Sequence, residues 1–452
     1  MAGKAIIHIS RMLGNQGSDF PGRIALKIDP QLLPKLAGQI KMHTIIVTGT
    51  NGKTTTSKMM AAILAAAGYS LVHNSAGANM VTGITTAFIN AAGITGECGR
   101  DCALLETDEA NVPLLLKAIA PDYMVITNFF RDQLDRYGEL DSIVRLIGDS
   151  VQNRDVRLLL NGDDPLQAYR FACDAKSYYG FAATPYDTLT SSDSREGRFC
   201  VLCGAELDYR YFHYAHLGNY ECSGCGNRNP QIDYLGTDLR METGIEFELE
   251  GQALRSTYQG FYNAYNMLAA AALSLELGVA PAVTAQAIAE YKPRAGRMEK
   301  FSIGGREVTL ILVKNPTGLD QSLGSLRYDP RPKAVFFALN DNAADGRDVS
   351  WVWDADFETL CAPEAQVEHF FAAGTRGADI ALRACYAGFE RQRIELHDRL
   401  EAGISASLDH GGGDGCVYVL STYTALFKCR RILSRYARKR TVSRLPEGGE
   451  GQ

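Results

Sequence analysis

The sequence predicts an α/β protein made of two wound domains, the first interrupted by a small cysteine-bearing insertion. Three observations carry that expectation. Short apolar, β-branched runs alternate with helical patterns from residue 43 onward, the signature of a parallel sheet wrapped by helices. The alternation breaks between about 184 and 240 into a stretch rich in tyrosine, glycine and cysteine. It then resumes, and a chain of 452 residues that is 46% hydrophobic has enough apolar mass for two or three separate cores.

The elements follow in order. Residues 1–40 read as a helical lead-in and a linker punctuated by "DFPGR" and "DPQLLP". "HTIIVTG" (43–49) is a strand, and "TTTSKMMAAILAAAG" (54–68) a helix stopped by Gly68. "CALLET", "DYMVITN" and "DVRLLLNGDDP" are further strands, the last running into a turn. Beyond the insertion, the helices "NAYNMLAAAALSLELG" and "APAVTAQAIAEY" complete a first domain, 41–295. "KPRAGRMEK" reads as a hinge. "VTLILVKNP", "KAVFFALND", "VEHFFAAG" and "VYVLSTY" are then strands of a second domain, 296–428, followed by a basic tail, 429–452.

A net charge of −6 offers no general attraction to nucleic acid or anionic lipid. The distribution is uneven, because residues 428–444 carry eight basic side chains and no acidic one. That segment fits either a solvated helix end with a frayed tail, or a surface drawn to an anionic membrane or acidic partner. No apolar run reaches the ~18 residues of a membrane span, and the N-terminus lacks the stretch of a secretory signal, so a cytoplasmic protein is expected. The eleven cysteines then read as thiols or metal ligands, not disulfides.

"VTGTNGKTTTSKMM" (47–60) carries the first chemistry. In the loop Gly49, Thr50, Asn51 and Gly52, the glycines let backbone N–H groups turn inward, and the following helix adds its positive end. Lys53 reaches the outer phosphates of a nucleotide, and Thr54 or Thr55 offers a hydroxyl to Mg²⁺. The generic pattern has a further glycine where Val47 stands, so this loop is a shortened variant. Taken alone it predicts ATP or GTP.

Four cysteines carry the second. Cys200, Cys203, Cys222 and Cys225 form C-x₂-C-x₁₈-C-x₂-C, the spacing of a zinc ribbon spanning about 196–230, with Gly204 and Gly226 suited to the knuckle turns. Four thiolates close the shell around Zn²⁺, so the expected role is to staple an insertion too small to fold alone. His213 and His216 lie in the same insertion but are not needed as ligands.

"TGTNGKTTT" resembles the nucleotide loop of the Mur ligase superfamily, the ATP-dependent amide-forming enzymes of peptidoglycan assembly and their folylpolyglutamate relatives. "LLETDEA", "VITNFFRDQLDRYGE", "GFYNAYNMLAAAA" and "GRMEKF" resemble further segments of that family in the same order. The resemblance implies a Mur ligase-like P-loop central domain and a Rossmann-like C-terminal domain. It implies Mg²⁺ binding by Glu106, with Asp108 and Glu109 less secure, nucleotide contacts by Asn263 and Asn266, and a domain-closing role for Arg297. Plainer roles exist: Glu106 as a capping or ion-paired acid, the asparagines as helix caps. Amino-acid-adding members carry a carbamylated lysine after their "DHLD" segment, but no lysine occurs here between Lys117 and Lys176, and Gln133 and Arg136 stand where histidine is usual.

"LVKNPTGLDQSL", "NDNAADGRDVSW" and "GTRGADIALR", with the inserted ribbon, resemble the MurT family of lipid II isoglutaminyl synthase subunits. That resemblance implies a GatD-type glutaminase partner whose ammonia amidates the α-carboxyl of D-glutamate in lipid II, with ATP as activator, at the inner face of the cell membrane. It assigns an aspartate of "DGRD", Asp348 first and Asp345 second, to orienting the partner's catalytic imidazole, although the same string suits a turn and helix cap. Lys314 faces the substrate or γ-phosphate, or is a surface lysine. Trp351 and Trp353 suit one face of a strand, an interface edge or a core. The rivals are a self-sufficient ligase adding an amino acid to a peptidoglycan precursor or folate-like substrate, and a nucleotide-binding scaffold with vestigial hydrolysis. The insertion has too little positive charge for a nucleic-acid reader.

Overall fold

The computed structural model describes residues 19–75, 78–130, 140–167, 171, 173, 175–189, 197–242, 244–292, 297–327, 329–410 and 415–442. Residues 1–18 of the expected lead-in, Gln133 and Arg136, most of the expected hinge and the end of the basic tail lie outside them. Two compact units form, the first ending at Tyr291 and the second beginning at Lys292.

The first unit runs through α1 (Phe20–Ile28), α2 (Leu32–Ala37), β1 (His43–Thr48), α3 (Lys53–Ala66), β2 (Leu71–His73), α4 (Val81–Ala91), β3 (Cys102–Glu106), α5 (Val112–Leu116) and β4 (Tyr123–Ile126). It continues with α6 (Leu140–Val151), β5 (Arg157–Asn161), β6 (Lys176–Phe181), β7 (Asp208–Tyr214), β8 (Leu217–Glu221), β9 (Tyr234–Arg240), β10 (Ile245–Leu249), β11 (Gln252–Ser256), α7 (Phe261–Glu276) and α8 (Pro281–Glu290). Nine strands form one sheet in the order β11-β10-β9-β6-β5-β4-β1-β3-β2. The seven strands from β9 to β2 pair in parallel, whereas β10 and β11 are antiparallel additions.

Register places the site. β1 lies between β3 and β4, with Val47 opposite Glu106 and Thr48 opposite Ile126, so three strands end at one edge. On one face of the sheet, Met59, Met60, Ile63 and Leu64 of α3 share a core with α7. α7 is buried nearly all round, and its run Ala269–Ala272 keeps the helix slim where α3 packs on it. The other face is covered by Ile84 and Phe88 of α4 with Leu115 and Ile147.

The break at 184–240 is not wholly an insertion. β9 pairs with β6, Tyr179 opposite Tyr234, and so belongs to the main sheet. Its sequence "YLGTDLR" hides this, because only Gly236 and Leu239 are buried along it. The β7–β8 hairpin and the cysteine turns form a separate two-stranded piece. Buried ionisable groups tie that piece to the loop after β5. His213 Nδ1 lies 2.7 Å from Asp187 Oδ1, and its Nε2 lies 3.8 Å from Asp163 Oδ2. Asp163 also accepts from Tyr265 (2.7 Å) and the Phe181 N–H (2.9 Å), while His216 Nε2 meets Asp164 at 3.2 Å.

The second unit contains β12 (Arg297–Ile303), β13 (Arg306–Leu312), α9 (Pro316–Arg327), β14 (Lys333–Ala338), β15 (Val367–Ala373), α10 (Gly377–Ala387), β16 (Ile394–Leu396), α11 (Leu400–Asp409), β17 (Cys416–Ser421) and α12 (Tyr423–Val442). Its sheet order is β12-β13-β17-β14-β15-β16, parallel except for the β12–β13 hairpin. The basic segment is helical through Val442, and part of its charge is met within the unit: Arg430 Nε lies 2.9 Å from both Glu299 oxygens, and Arg435 pairs with Glu401. Among the described residues, no helix is long and apolar enough to cross a membrane. Trp351 and Trp353 do not share a strand face. They sit in the 3₁₀ turn Ser350–Trp353, which buries Trp351 and leaves Trp353 45% exposed.

Burial alone would lower the His213 pKa, but the Asp187 hydrogen bond and the Asp163 carboxylate outweigh it and raise it above the imidazole norm. A raised folded-state pKa stabilises fully below the unfolded value of about 6.5 and less as pH climbs through the folded one. A His213→Gln variant should therefore show its largest melting-temperature deficit near pH 6, the gap narrowing as pH rises further. Thermal melts of both proteins across that range check this; a constant gap would mean that the His213 pKa does not change on folding.

Candidate functional site

The loop after β1 is built by two left-handed glycines. Gly49 has φ 121° and Gly52 φ 88°, conformations that L side chains rarely adopt. Space excludes side chains as well. A Cβ on Gly49 would stand 2.3 Å from Thr127 Oγ1, and one on Gly52 only 1.9 Å from Asn266 Oδ1. Neighbouring strands hold the loop between them. The Thr50 N–H donates to the Asn128 carbonyl (2.9 Å), and the Asn51 N–H to Asn128 Oδ1 (2.9 Å). Thr127 Oγ1 (2.7 Å) and Asn128 Nδ2 (3.1 Å) both donate to the Asn51 carbonyl.

Lys53 opens α3 and is buried. Its ammonium donates to the Gly49 carbonyl, to that of Thr50 (3.2 Å) and to Glu109 Oε2 (2.8 Å), whose side chain is also buried. An ammonium out of water needs such a counter-charge. Thr54 Oγ1 donates to Glu106 Oε1 at 2.8 Å, which puts a hydroxyl and a carboxylate side by side at the loop. Glu106 is buried and braced through its backbone, whose N–H donates to Asn74 Oδ1 (2.9 Å) and whose carbonyl accepts from Asn74 Nδ2 (2.7 Å). The three acids of "ETDEA" thus divide: Glu106 faces Thr54, Glu109 holds Lys53, and Asp108 caps the next turn by accepting from the Ala110 N–H.

From α7, Asn266 Oδ1 accepts from Thr56 Oγ1 (3.3 Å), Asn266 Nδ2 donates to Asn263 Oδ1 (3.2 Å), and Asn263 Nδ2 donates to the Gln259 carbonyl (2.8 Å). Thr55 is buried within α3. The first unit therefore gathers Gly49 through Thr55, Glu106, Asn263 and Asn266 in one place. Asn74, Thr127, Asn128 and the pairing role of Glu109 are additions that sequence reading did not pick out. The one available signal was the "TN" that follows β4 in "VITN".

The four cysteines meet as well. Their sulfurs all lie within 4.8 Å of one another, with Cys200–Cys225 at 3.6 Å and Cys203–Cys222 at 3.5 Å. A tetrahedron with Zn–S bonds of about 2.3 Å has edges of about 3.8 Å, so the donor set fits the ion. The two turns are alike: Gly204 N–H donates to the Cys200 carbonyl (2.9 Å) and Gly226 N–H to that of Cys222 (2.8 Å). Both glycines have positive φ. Burial pushes the Cys200 thiol up, but donors from Asn227 Nδ2 and the Leu202 and Cys203 N–H groups bring it to about 6, which favours thiolate.

The remaining candidates belong to the second unit. Asp345 is buried and committed to the start of α12, accepting from Thr424 N–H (2.7 Å) and Thr424 Oγ1 (2.5 Å). Asp348 is exposed and accepts from the Ser350 N–H at 2.8 Å, so its carboxylate stands at the surface. Lys314 is half-buried just after β13, next to Asn315, which caps α9 by accepting from the Gly318 N–H. The Arg297 backbone begins β12, and its side chain lies outside what the structure describes.

Residues 47–207 match the model of the Mur ligase middle domain, and residues 312–426 that of the MurT ligase C-terminal domain. The chain is 37% identical over 427 residues to the lipid II isoglutaminyl synthase (glutamine-hydrolyzing) subunit MurT of Staphylococcus aureus (strain COL), covering 94% of this chain and 95% of that one. Its fold is similar to that of a pseudomurein peptide ligase type C from Methanothermus fervidus, with TM-score 0.67, 21% identity, and 88% and 79% of the two chains covered. MurF ligase from Thermotoga maritima, solved in complex with ADP, aligns with TM-score 0.64 and 15% identity over 91% of this chain and 84% of that one. The expected Mur ligase-like α/β fold is therefore present, and identity sustained over nearly the whole length shows that the chain belongs to the MurT family of lipid II isoglutaminyl synthase subunits.

Proposed function

We propose that this chain is the ATP-dependent synthetase subunit of a glutamine-hydrolysing amidotransferase, converting the α-carboxyl of D-glutamate in lipid II to the D-isoglutamine amide with ammonia from a GatD-type glutaminase. The observation that carries this reading is the near full-length likeness to a subunit bearing that activity in its name. The loop of the first unit has the parts that the chemistry needs.

A carboxylate oxygen of the substrate attacks the γ-phosphorus of ATP, and ADP leaves. Ammonia then attacks the acyl carbon, phosphate departs, and a proton is lost from nitrogen. Lys53 and the loop N–H groups neutralise charge on the transferring phosphoryl group and hold it in line. Thr54 and Glu106 would hold Mg²⁺, which would supply positive charge against that developing on the phosphates. Asn263 and Asn266 fix the start of α3 against α7, and with it the loop. Ammonia is small and neutral, so the absence of the carbamylated lysine of amino-acid-adding relatives is compatible with the reaction. Asp348, carried on an exposed turn, orients the imidazole of the partner's Cys–His pair. The four cysteines hold structural Zn²⁺. The reaction takes place on the cytoplasmic side of the membrane that carries the lipid.

Mass spectrometry of lipid II incubated with the chain, its glutaminase partner, ATP, Mg²⁺ and glutamine tests the whole reading: the expected product has one carboxyl OH replaced by NH₂. Unchanged lipid II with active glutaminase present would reject it, and amino acids supplied in place of glutamine would then test the ligase alternative. Lys53→Ala should lower amidation by ~100-fold or more, read as ADP release dependent on lipid II. Asp348→Asn should reduce glutamine-driven amidation by at least ~100-fold while leaving amidation from added ammonium salts near wild type. Loss of both activities would remove Asp348 from the partner's site. Cys222→Ser should cost the bound zinc, measured by elemental analysis, and lower the melting temperature, with zinc retained in full as the opposing result.

A further inference from the structure

The second unit carries a side-chain cluster that the proposed reaction does not use. β15 and β16 pair in parallel, with Phe371 opposite Glu395. Side chains alternate along a strand, so His369 and Phe371 share a face with Glu395 and with His397 just beyond β16. α11 covers that face, its Ile404 and Leu408 packing in one core with Phe371. The chain leaving α11 then delivers His410 to the same spot.

Ligand atoms of His369, Glu395 and His410 all lie within 4.8 Å of one another. The two imidazole rings stand 3.4 Å apart between centroids and tilted by 51°, closer than the ~4.5–7 Å usual for aromatic pairs. His369 Nδ1 is buried with no hydrogen-bond partner among the described residues. The frame is fixed around it. The His410 N–H donates to the Ala406 carbonyl (3.0 Å), and the His410 carbonyl accepts from the Arg306 guanidinium (2.6 Å). His397 Nε2 lies 3.3 Å from Glu395 Oε2, where it can orient that carboxylate.

We propose that His369, Glu395 and His410 form a second metal site, separate from the four cysteines, that takes a divalent transition ion of the zinc class. Two imidazoles and one carboxylate suit such an ion, and three protein ligands leave a coordination position for water. Such an ion would link the two crowded rings and so tie the end of α11 to the edge of the sheet. His397 is a positioning residue that acts through Glu395.

The test uses the full chain, stripped with chelator and titrated with Co²⁺ as a spectroscopic probe, then with Zn²⁺. Thiolate-bound cobalt shows strong sulfur-to-metal charge transfer in the near ultraviolet, whereas cobalt held by imidazole and carboxylate shows only weak visible bands. The wild-type chain should take up a further equivalent beyond the thiolate-bound one. That equivalent should vanish in His369→Ala and in His410→Ala with the charge-transfer band intact, and should persist in Cys222→Ser. His397→Ala should weaken it by ~10–100-fold without abolishing it. Circular dichroism and thermal melts of Glu395→Gln, which preserves shape, separate loss of a ligand from loss of fold. Saturation of the wild type at the thiolate equivalent alone, or a second equivalent unchanged in His410→Ala, would overturn the proposal.

Discussion

Parallel pairing of β1 with β3 on one side and β4 on the other is the constraint on which the rest of the first unit depends. Because all three strands point the same way and end in register, the loop after β1, the acid closing β3 and the Thr127–Asn128 step after β4 emerge at one edge. A parallel sheet has its strand ends free at that edge, since each connection must return along a helix. The loop is therefore held by groups that arrive with the sheet. Asn128 takes two of its N–H groups, Thr127 and Asn128 bond the Asn51 carbonyl, and Asn74 pins the backbone of Glu106.

The second constraint is the burial of charge. Lys53 and Glu109 are both nearly removed from solvent and lie 2.8 Å apart. Removing one member of such a pair strands the other, at a cost of about 3–5 kcal/mol. The pair keeps the Lys53 side chain folded onto its own loop. Gly52 and Asn266 enforce the same arrangement sterically, because α7 lies too close to the loop to admit a Cβ. α7 can come that close because its middle is a run of alanines.

Much of this was legible in the sequence wherever the chemistry is local. The loop, its lysine and the helix it opens are consecutive, and two glycines with positive φ mark where the backbone must turn. The cysteine pairs declare themselves by spacing for the same reason. The braces on the loop were not legible. Asn74, Thr127 and Asn128 act only because distant strands are neighbours in the sheet, and no periodicity reports which asparagine faces a loop. β9 escaped notice because its exposed positions mix Leu235 with Asp238 and Arg240 and its buried ones are few. Of the readings offered for the tryptophans, the strand face fails because an i, i+2 spacing does not describe one face of a 3₁₀ turn, whereas the core role holds for the buried Trp351.

The two aspartates of "DGRD" show how structure separates residues that sequence leaves equivalent. Both sit in one turn, and both suit a cap by composition. Asp345 is buried against the first turn of α12, where its oxygens accept from the backbone and hydroxyl of Thr424. Such a carboxylate anchors a helix end and is committed to it. Asp348 is three residues on and exposed, and it accepts from the Ser350 N–H of the following turn. A group that must act on another chain has to reach the surface on a frame that does not move with it. Asp345 ties the turn to α12, and Asp348 lies exposed three residues on. The role proposed for Asp348 would thus depend on Asp345 as its support, a division of roles that neither residue's identity alone could reveal.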